Sequence, residues 1–224
     1  RWLSRNPVDY VIVCSPNYLH DAHCLMAMRN GCDVICEKPL VLYERNIDNL
    51  ADWEARTGKT VNVILQCRLH PEVVTARGVA GALEYRPRVR VRYRTPRGPW
   101  YHFSWKGDPE KSGGIVANIG IHLFDLCTCL FGASVSDATI RDTTQIQPGA
   151  AYGNIELEYA DVGWHLSVGP GEPLREFNCG TFRLDLTSGF TDLHSRSYQE
   201  ILGGRGFGIE DIRPATRLVE RIRQ

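Results

Sequence analysis

The chain has 224 residues, enough for one large core or two smaller ones, and at 43% hydrophobic and 23% charged it is composed like an ordinary globular protein. Its formal net charge is zero, which gives no bulk attraction to a polyanion, and no apolar run approaches the ~20 residues that cross a bilayer. Neither nucleic acid nor membrane is therefore expected as a partner.

The predicted elements begin with a strand over 8–14, β-branched and ending in Ser15-Pro16-Asn17. Residues 18–30 follow with helical spacing of Leu19, Ala22, Leu25 and Met26, and Gly31 stands where a C-terminal cap belongs. Asp33–Cys36 reads as a second strand running into Glu37-Lys38-Pro39, and Glu44–Thr57 as a second helix closed by Gly58. A third strand is expected over 61–66, and Pro71 opens another helix. Strands and helices alternating over short connections imply parallel strands with right-handed crossovers, and ligands in such sheets sit beyond the carboxyl ends of the strands. The three ends here, Ser15-Pro16-Asn17, Glu37-Lys38-Pro39 and Gln66-Cys67-Arg68, are polar interruptions of apolar runs and mark the place for a site.

From about residue 88 the pattern changes. Arg86, Arg88, Arg90, Arg92 and Arg94 alternate with apolar residues, as the solvated face of a strand would; an RNA-binding strip is the competing reading, but no aromatic stacking platform accompanies it. One helix is expected over 115–131, then strands over 154–159, 164–168 and 182–186, and a terminal helix over 211–223 with Pro214 in its first turn. The expected fold class is an α/β Rossmann-type parallel sheet over 1–86, followed over 87–224 by an α+β domain with a mainly antiparallel sheet. The eight cysteines contain no C-x-x-C pair, and several sit in apolar runs, so they are read as reduced thiols of a cytoplasmic protein. The first residues lack an initiator Met and the features of a signal peptide, so the sequence is read as beginning mid-protein.

Chemistry is concentrated in two places. In Lys111-Ser112-Gly113-Gly114 followed by Asn118 and His122, helical spacing puts Asn118, His122 and Asp125 on one face. His122 then reads as a proton acceptor oriented by an amide and a carboxylate, or as an incidental histidine on a capped helix. Lys38, at the end of a buried strand, reads as a cation that eases deprotonation of a substrate hydroxyl, or as a surface lysine paired to a carboxylate. His20 and His23 lie three apart without a metal-ligand array, so no metal site is expected, and neither Ser15 nor Ser112 has a nucleophile-elbow context.

Val13-Cys14-Ser15-Pro16-Asn17-Tyr18-Leu19-His20, then Cys36-Glu37-Lys38-Pro39-Leu40, then Gly113-Gly114 with Asn118-Ile119-Gly120-Ile121-His122 and Asp125, resemble the Gfo/Idh/MocA oxidoreductase family in order and spacing. The likeness is greatest to the branch of bacterial UDP-N-acetyl-glucosaminuronate 3-dehydrogenases. It is carried by Leu65-Gln66-Cys67-Arg68-Leu69-His70-Pro71, Trp105-Lys106-Gly107-Asp108, Phe190-Thr191-Asp192-Leu193-His194, and Gly206-Phe207-Gly208 with Asp211-Ile212-Arg213-Pro214. The family opens with a Gly-rich dinucleotide loop, and no G-x-G-x-x-G occurs here; the first βαβ unit is read as missing. Asn118 stands where many relatives carry Asp and matches this branch.

The resemblance implies NAD (with NADP still open) as cofactor, a UDP-linked 2-acetamido uronic acid as substrate, oxidation at C3, and a homo-oligomer, dimer or tetramer. It implies Lys38, His122 and Asn118 as catalytic residues and Ser15, Pro16, Asn17, His20, Glu37, Lys38 and Gln66 as the cofactor border. Arg68, Lys106 and Lys111 join Lys38, Asn118 and His122 as substrate contacts. Another sugar or polyol dehydrogenase, or a catalytically silent ligand sensor, are the alternatives.

Overall fold

The computed structural model describes residues 2–180, 182–187 and 191–224. Phe190 of the string quoted above lies outside the described residues.

The first part is a three-stranded parallel sheet in the order β1-β2-β3, with β1 at Tyr10–Val13, β2 at Asp33–Cys36 and β3 at Val61–Val63. Helices α1 (His20–Arg29), α2 (Glu44–Thr57) and α3 (Pro71–Gly81) alternate with the strands. Val13 pairs with Cys36 and Cys36 with Val63, so the three strands end side by side and their polar tips converge. One face buries Val34 and Cys36, while Ile35 on the other packs with Ile64 and Ile201. α2 stops at Gly58, whose φ of 66° lets its N–H return to Glu54 O at 2.9 Å. The third strand is shorter than expected. After Val63, which bridges to Phe207, the chain turns through a 3₁₀ segment at Gln66–Leu69.

The second part comprises β4 (Arg88–Arg94), α4 (Trp100–Phe103), α5 (Pro109–Ser112), α6 (Gly114–Asn118), α7 (Ile121–Phe131), α8 (Asp137–Thr143), β5 (Gln145–Gln147), β6 (Ala150–Glu156), β7 (Asp161–Ser167), β8 (Leu174–Asn178), β9 (Arg183–Asp185), α9 (Leu193–Leu202) and α10 (Ile209–Arg223). Its sheet runs β5-β6-β7-β4-β8-β9; β4 and β7 are parallel and the other neighbours antiparallel, as the alternation predicts. Val89, Val91, Trp164, Leu166 and Phe177 are buried, whereas Arg88, Arg90 and Arg92 are exposed. Phe124 of α7 meets Trp164 edge-on at 5.3 Å.

The single helix expected over 115–131 is two helices. The segments before and after Ile119-Gly120 meet at 47°. A Cβ on Gly120 would lie 2.5 Å from Val116 O and 2.7 Å from Leu166 Cδ1, so the bend sits where backbone presses onto β7. α10 begins two residues before its expected start, where Gly208 N–H donates to Asp211 Oδ2 at 2.8 Å, and Pro214 lies inside the helix rather than in its first turn. α10 packs against both α2 and α7. Helices α5 and α8 escape a reading by periodicity because they are short, yet each carries a cap in sequence: Asp108 before Pro109, and Ser136, which accepts from Thr139 N–H. Among the described residues no single helix is long and apolar enough to cross a membrane.

Candidate active site at the strand ends

Lys38 follows the end of β2 at a cis Lys38–Pro39 peptide. Its Nζ donates to the backbone oxygen of Asn118 at 3.2 Å, which ties the strand tip to the last turn of α6. The Asn118 side chain is buried, and its Oδ1 lies 3.5 Å from Asn17 Nδ2, which also donates to Ser112 O at 2.8 Å. Asn17, Lys38 and Asn118 therefore form one cluster. Gly113, at φ 79°, makes the approach possible, because a Cβ there would come within 2.8 Å of Leu42 Cδ2, in the segment just after Lys38-Pro39. Burial pushes the Lys38 ammonium below its ordinary range, opposed by Glu37 and supported by Lys106 and Arg97.

His122 lies in the first turn of α7, beyond the bend. Its Nδ1 is 3.6 Å from Cys67 Sγ, and burial, then Lys38 and Arg175, push the imidazole well below its usual range. It is a neutral ring at neutral pH. Burial also raises the Cys67 thiol, to about 12, so it stays protonated. Asp125 does not orient His122 as the helical spacing suggested. Its carboxylate is taken by Arg68, through Nη2 at 2.7 Å and Nε at 3.0 Å.

Arg68, expected as a substrate contact, has further partners. Besides Asp125 it holds Asp211, through Nη1 to Oδ1 at 3.3 Å and Nη2 to the backbone oxygen at 2.6 Å, and it lies over the Phe207 ring. Burial disfavours the guanidinium charge, but Asp125 outweighs it and holds Arg68 above its ordinary range. Arg68 is thus a buried clamp joining the β3 exit to α7 and α10, with little left to offer a ligand. Lys111 is exposed and paired with Asp108 at 3.0 Å. Lys106 stands over Trp100 and Trp105 and acts electrostatically on Lys38.

Among the residues expected to border the cofactor, His20 is buried with Nδ1 2.7 Å from Pro39 O and Nε2 2.8 Å from Ser15 O, bracketing two strand-end loops. Burial lowers its pKa, and the two carbonyls oppose the shift. Ser15 Oγ meets His23 Nδ1 at 2.8 Å, and Pro16 leads into the 3₁₀ turn at Asn17–Leu19. Glu37 lies 3.3 Å from His194 Nε2. Gln66 is buried, and its Oε1 has no hydrogen-bond partner among the described residues.

Four residues near the cluster escaped the sequence reading: Tyr93, Arg97, Arg175 and His194. Arg175 lies over Tyr93 at 5.3 Å and acts on His122, while Arg97 acts on Lys38. Only His194 stood in a quoted string, with no role given. The others come from strands and loops whose register across the sheet no local spacing reveals.

Residues 2–65 match the family model described as "Oxidoreductase family, NAD-binding Rossmann fold", and residues 87–164 match its "C-terminal alpha/beta domain". The whole chain superposes on the WlbA (WbpB) dehydrogenase from Thermus thermophilus, crystallised with NAD and UDP-GlcNAcA, with a TM-score of 0.93, 35% identity and 76% of that chain covered. The protein belongs to the Gfo/Idh/MocA oxidoreductase family. It is 32% identical over 129 residues to the D-glucoside 3-dehydrogenase of Escherichia coli K12, matched over 55% of this chain and 36% of that protein. It is 29% identical over 170 residues to the 2,7-anhydro-N-acetylneuraminate hydratase of Mediterraneibacter gnavus, over 70% of this chain and 44% of that protein. The chain thus spans less than half the length of these two relatives.

Proposed function

We propose that the protein is an NAD-dependent sugar-nucleotide dehydrogenase that oxidises a UDP-linked 2-acetamido-2-deoxy-glucuronate at C3. The observation that carries this reading is the meeting of a desolvated Lys38 and a neutral His122 around Asn118, at the carboxyl ends of a parallel sheet. The Thermus thermophilus WlbA complex, with NAD and UDP-GlcNAcA, supports the substrate and cofactor class.

The residues present suit the nicotinamide side of NAD. The strand tips offer Ser15, Pro16, Asn17 and Glu37, and the orphaned Gln66 Oε1 is an acceptor awaiting a donor. When bound, NAD supplies the hydride acceptor. His122 takes the proton of the C3 hydroxyl, so that alcohol becomes ketone as one hydride and one proton leave. Acceptance at Nε2 requires the Nδ1 proton to face Cys67 Sγ, the contact observed at 3.6 Å. Lys38 commits one N–H to Asn118 O and keeps two for the developing alkoxide. Asn118 fixes both the lysine and the sugar.

Such an enzyme would act in the cytoplasm in the synthesis of surface polysaccharide. The exposed, Arg-rich face of the second sheet is the surface through which a dimer or tetramer would assemble. Incubating the protein with NAD and a panel of UDP-sugars tests the activity. Reduced nicotinamide is expected with UDP-GlcNAcA; its failure to appear with any UDP-sugar would contradict the reading, and sedimentation as a monomer would contradict the assembly.

A further inference from the structure

The segment that follows β4 is fixed at the end of the second sheet. Past Arg94 it keeps pairing with the chain of β7: Thr95 N–H donates to Ser167 O at 2.9 Å and Arg97 N–H to Val168 O at 3.0 Å. Beyond α4 it folds tightly back, since a Cβ on Gly107 would lie 2.5 Å from Tyr101 O. That fold sets the Lys106 ammonium 5.7 Å from the Trp100 ring centre and 5.6 Å from that of Trp105.

Arg97 and Lys106 are cations that no anion neutralises. Among the described residues Arg97 makes no ion pair and no side-chain hydrogen bond. Lys106 has no carboxylate partner there either, and its two indoles hold the ammonium without cancelling its charge. Arg68 and Lys111, by contrast, are paired with Asp125 and Asp108. Both free charges act on the buried Lys38 ammonium, with Glu37 opposing them, so like charges gather at one place and an anion among them relieves the repulsion.

Lys106 also borders a second space. A cavity of about 440 Å³ opens between the 101–114 segment and the β5–β6 turn, walled by Tyr101, Lys106, Gly114, Ile146, Gln147 and Val168. Val168 is the residue that anchors the Arg97 backbone. Apolar side chains mixed with amide and backbone groups suit a base and its ribose, and the volume is that of a small-molecule site. The room beyond Lys106 decides which anion belongs there: a carboxylate ends the molecule, whereas a diphosphate continues into a nucleoside.

We infer that Arg97, with Lys106 beside it, is the binding contact for the diphosphate of the sugar nucleotide, whose nucleoside occupies the cavity bordered by Lys106. The inference rests on the sugar-nucleotide reading and gives that substrate a path, with the sugar at Lys38 and His122 and the base beside Ile146 and Gln147. The guanidinium supplies a fork of N–H donors to phosphate oxygens, and the ammonium adds a point charge.

The test titrates the protein, by calorimetry, with UDP, UDP-GlcNAc and UDP-GlcNAcA. The native protein is expected to bind all three, more weakly as salt rises. Arg97→Met should weaken all three alike by roughly 10-fold, the worth of one charge-assisted contact, and Arg97→Lys should recover part of the loss. Arg97 is exposed, so both variants should keep native thermal stability. Gln147→Trp narrows the cavity from an exposed position and should weaken UDP as well; undiminished UDP affinity there would overturn the placement of the nucleoside. A loss in Arg97→Met confined to UDP-GlcNAcA would give Arg97 to the carboxylate and overturn the diphosphate assignment, as would unchanged affinity for all three. Either result leaves the sugar-nucleotide reading intact, whereas a native protein that binds none of the three would overturn both.

Discussion

The two sheets bring chemistry to the same place by different means. In the first, parallel register aligns the ends of three strands, and the functional groups are the residues at which the apolar runs stop. In the second, the functional groups lie on structure defined only by long-range packing: His122 beyond a helix bend, and Arg97 beyond the paired ends of β4 and β7. Parallel strand ends make a site from local sequence, whereas the covering sheet makes one from register. The first kind is readable residue by residue; the second becomes visible only when the strands are paired.

The strongest way to break this comparison is to remove one proposed catalytic group from each side. Lys38→Ala and His122→Asn are each expected to lower turnover by about two to four orders of magnitude, with sugar-nucleotide affinity largely kept. Both serve one proton transfer, so the double variant should be little worse than the poorer single one. Steady-state kinetics beside separate binding measurements decide it, and additive losses would mean that the two groups act independently.

Next in size is the clamp between the parts. Arg68→Met leaves Asp125 buried without its partner and should cost about 3–5 kcal/mol of stability in chemical denaturation, with ligand affinity of the folded protein little changed. Unchanged stability with weakened substrate binding would instead return Arg68 to the ligand.

The pH profile sharpens the comparison further. Burial, with Lys38 and Arg175, lowers the His122 pKa, so the base stays neutral as pH falls and the acid limb of kcat/KM should lie below pH ~6.5. Burial lowers Lys38 as well, so the alkaline limb should set in below ~10.4. Arg175→Met removes one of the cations facing His122 and should move the acid limb upward. An acid limb at or above the ordinary imidazole value in the native protein would contradict the desolvated site.

The smallest effect is expected at Cys67. Cys67→Ala removes the Nδ1 partner of His122 and should reduce kcat about 2- to 10-fold with KM unchanged, while Cys67→Ser restores most of it. Equal losses in both variants would point to packing rather than to the hydrogen bond.

How far the sequence could be read follows the same division. Asp33–Cys36 and Glu44–Thr57 were legible to the residue, because a β-branched run and an amphipathic pattern closed by glycine are local signals. Lys38 was legible for the same reason. Asn118 and His122 were found, but the single helix drawn through them was wrong, since the bend depends on Gly120 meeting Leu166 from a distant strand. Arg68 looked available because its partners Asp125 and Asp211 are remote in sequence. Arg175 went unnoticed because β8 offers too short a pattern to place it.

In the proposed reaction hydride leaves C3 while His122 takes the proton of the same carbon's hydroxyl. Supplying UDP-GlcNAcA deuterated at C3 with NAD, and following the label by mass spectrometry, tests that directly. The label should appear in the reduced nicotinamide with a slowed rate in the native protein, and His122→Asn should make little or none. Reduced cofactor formed without label, or no transfer from this sugar at all, would contradict the account.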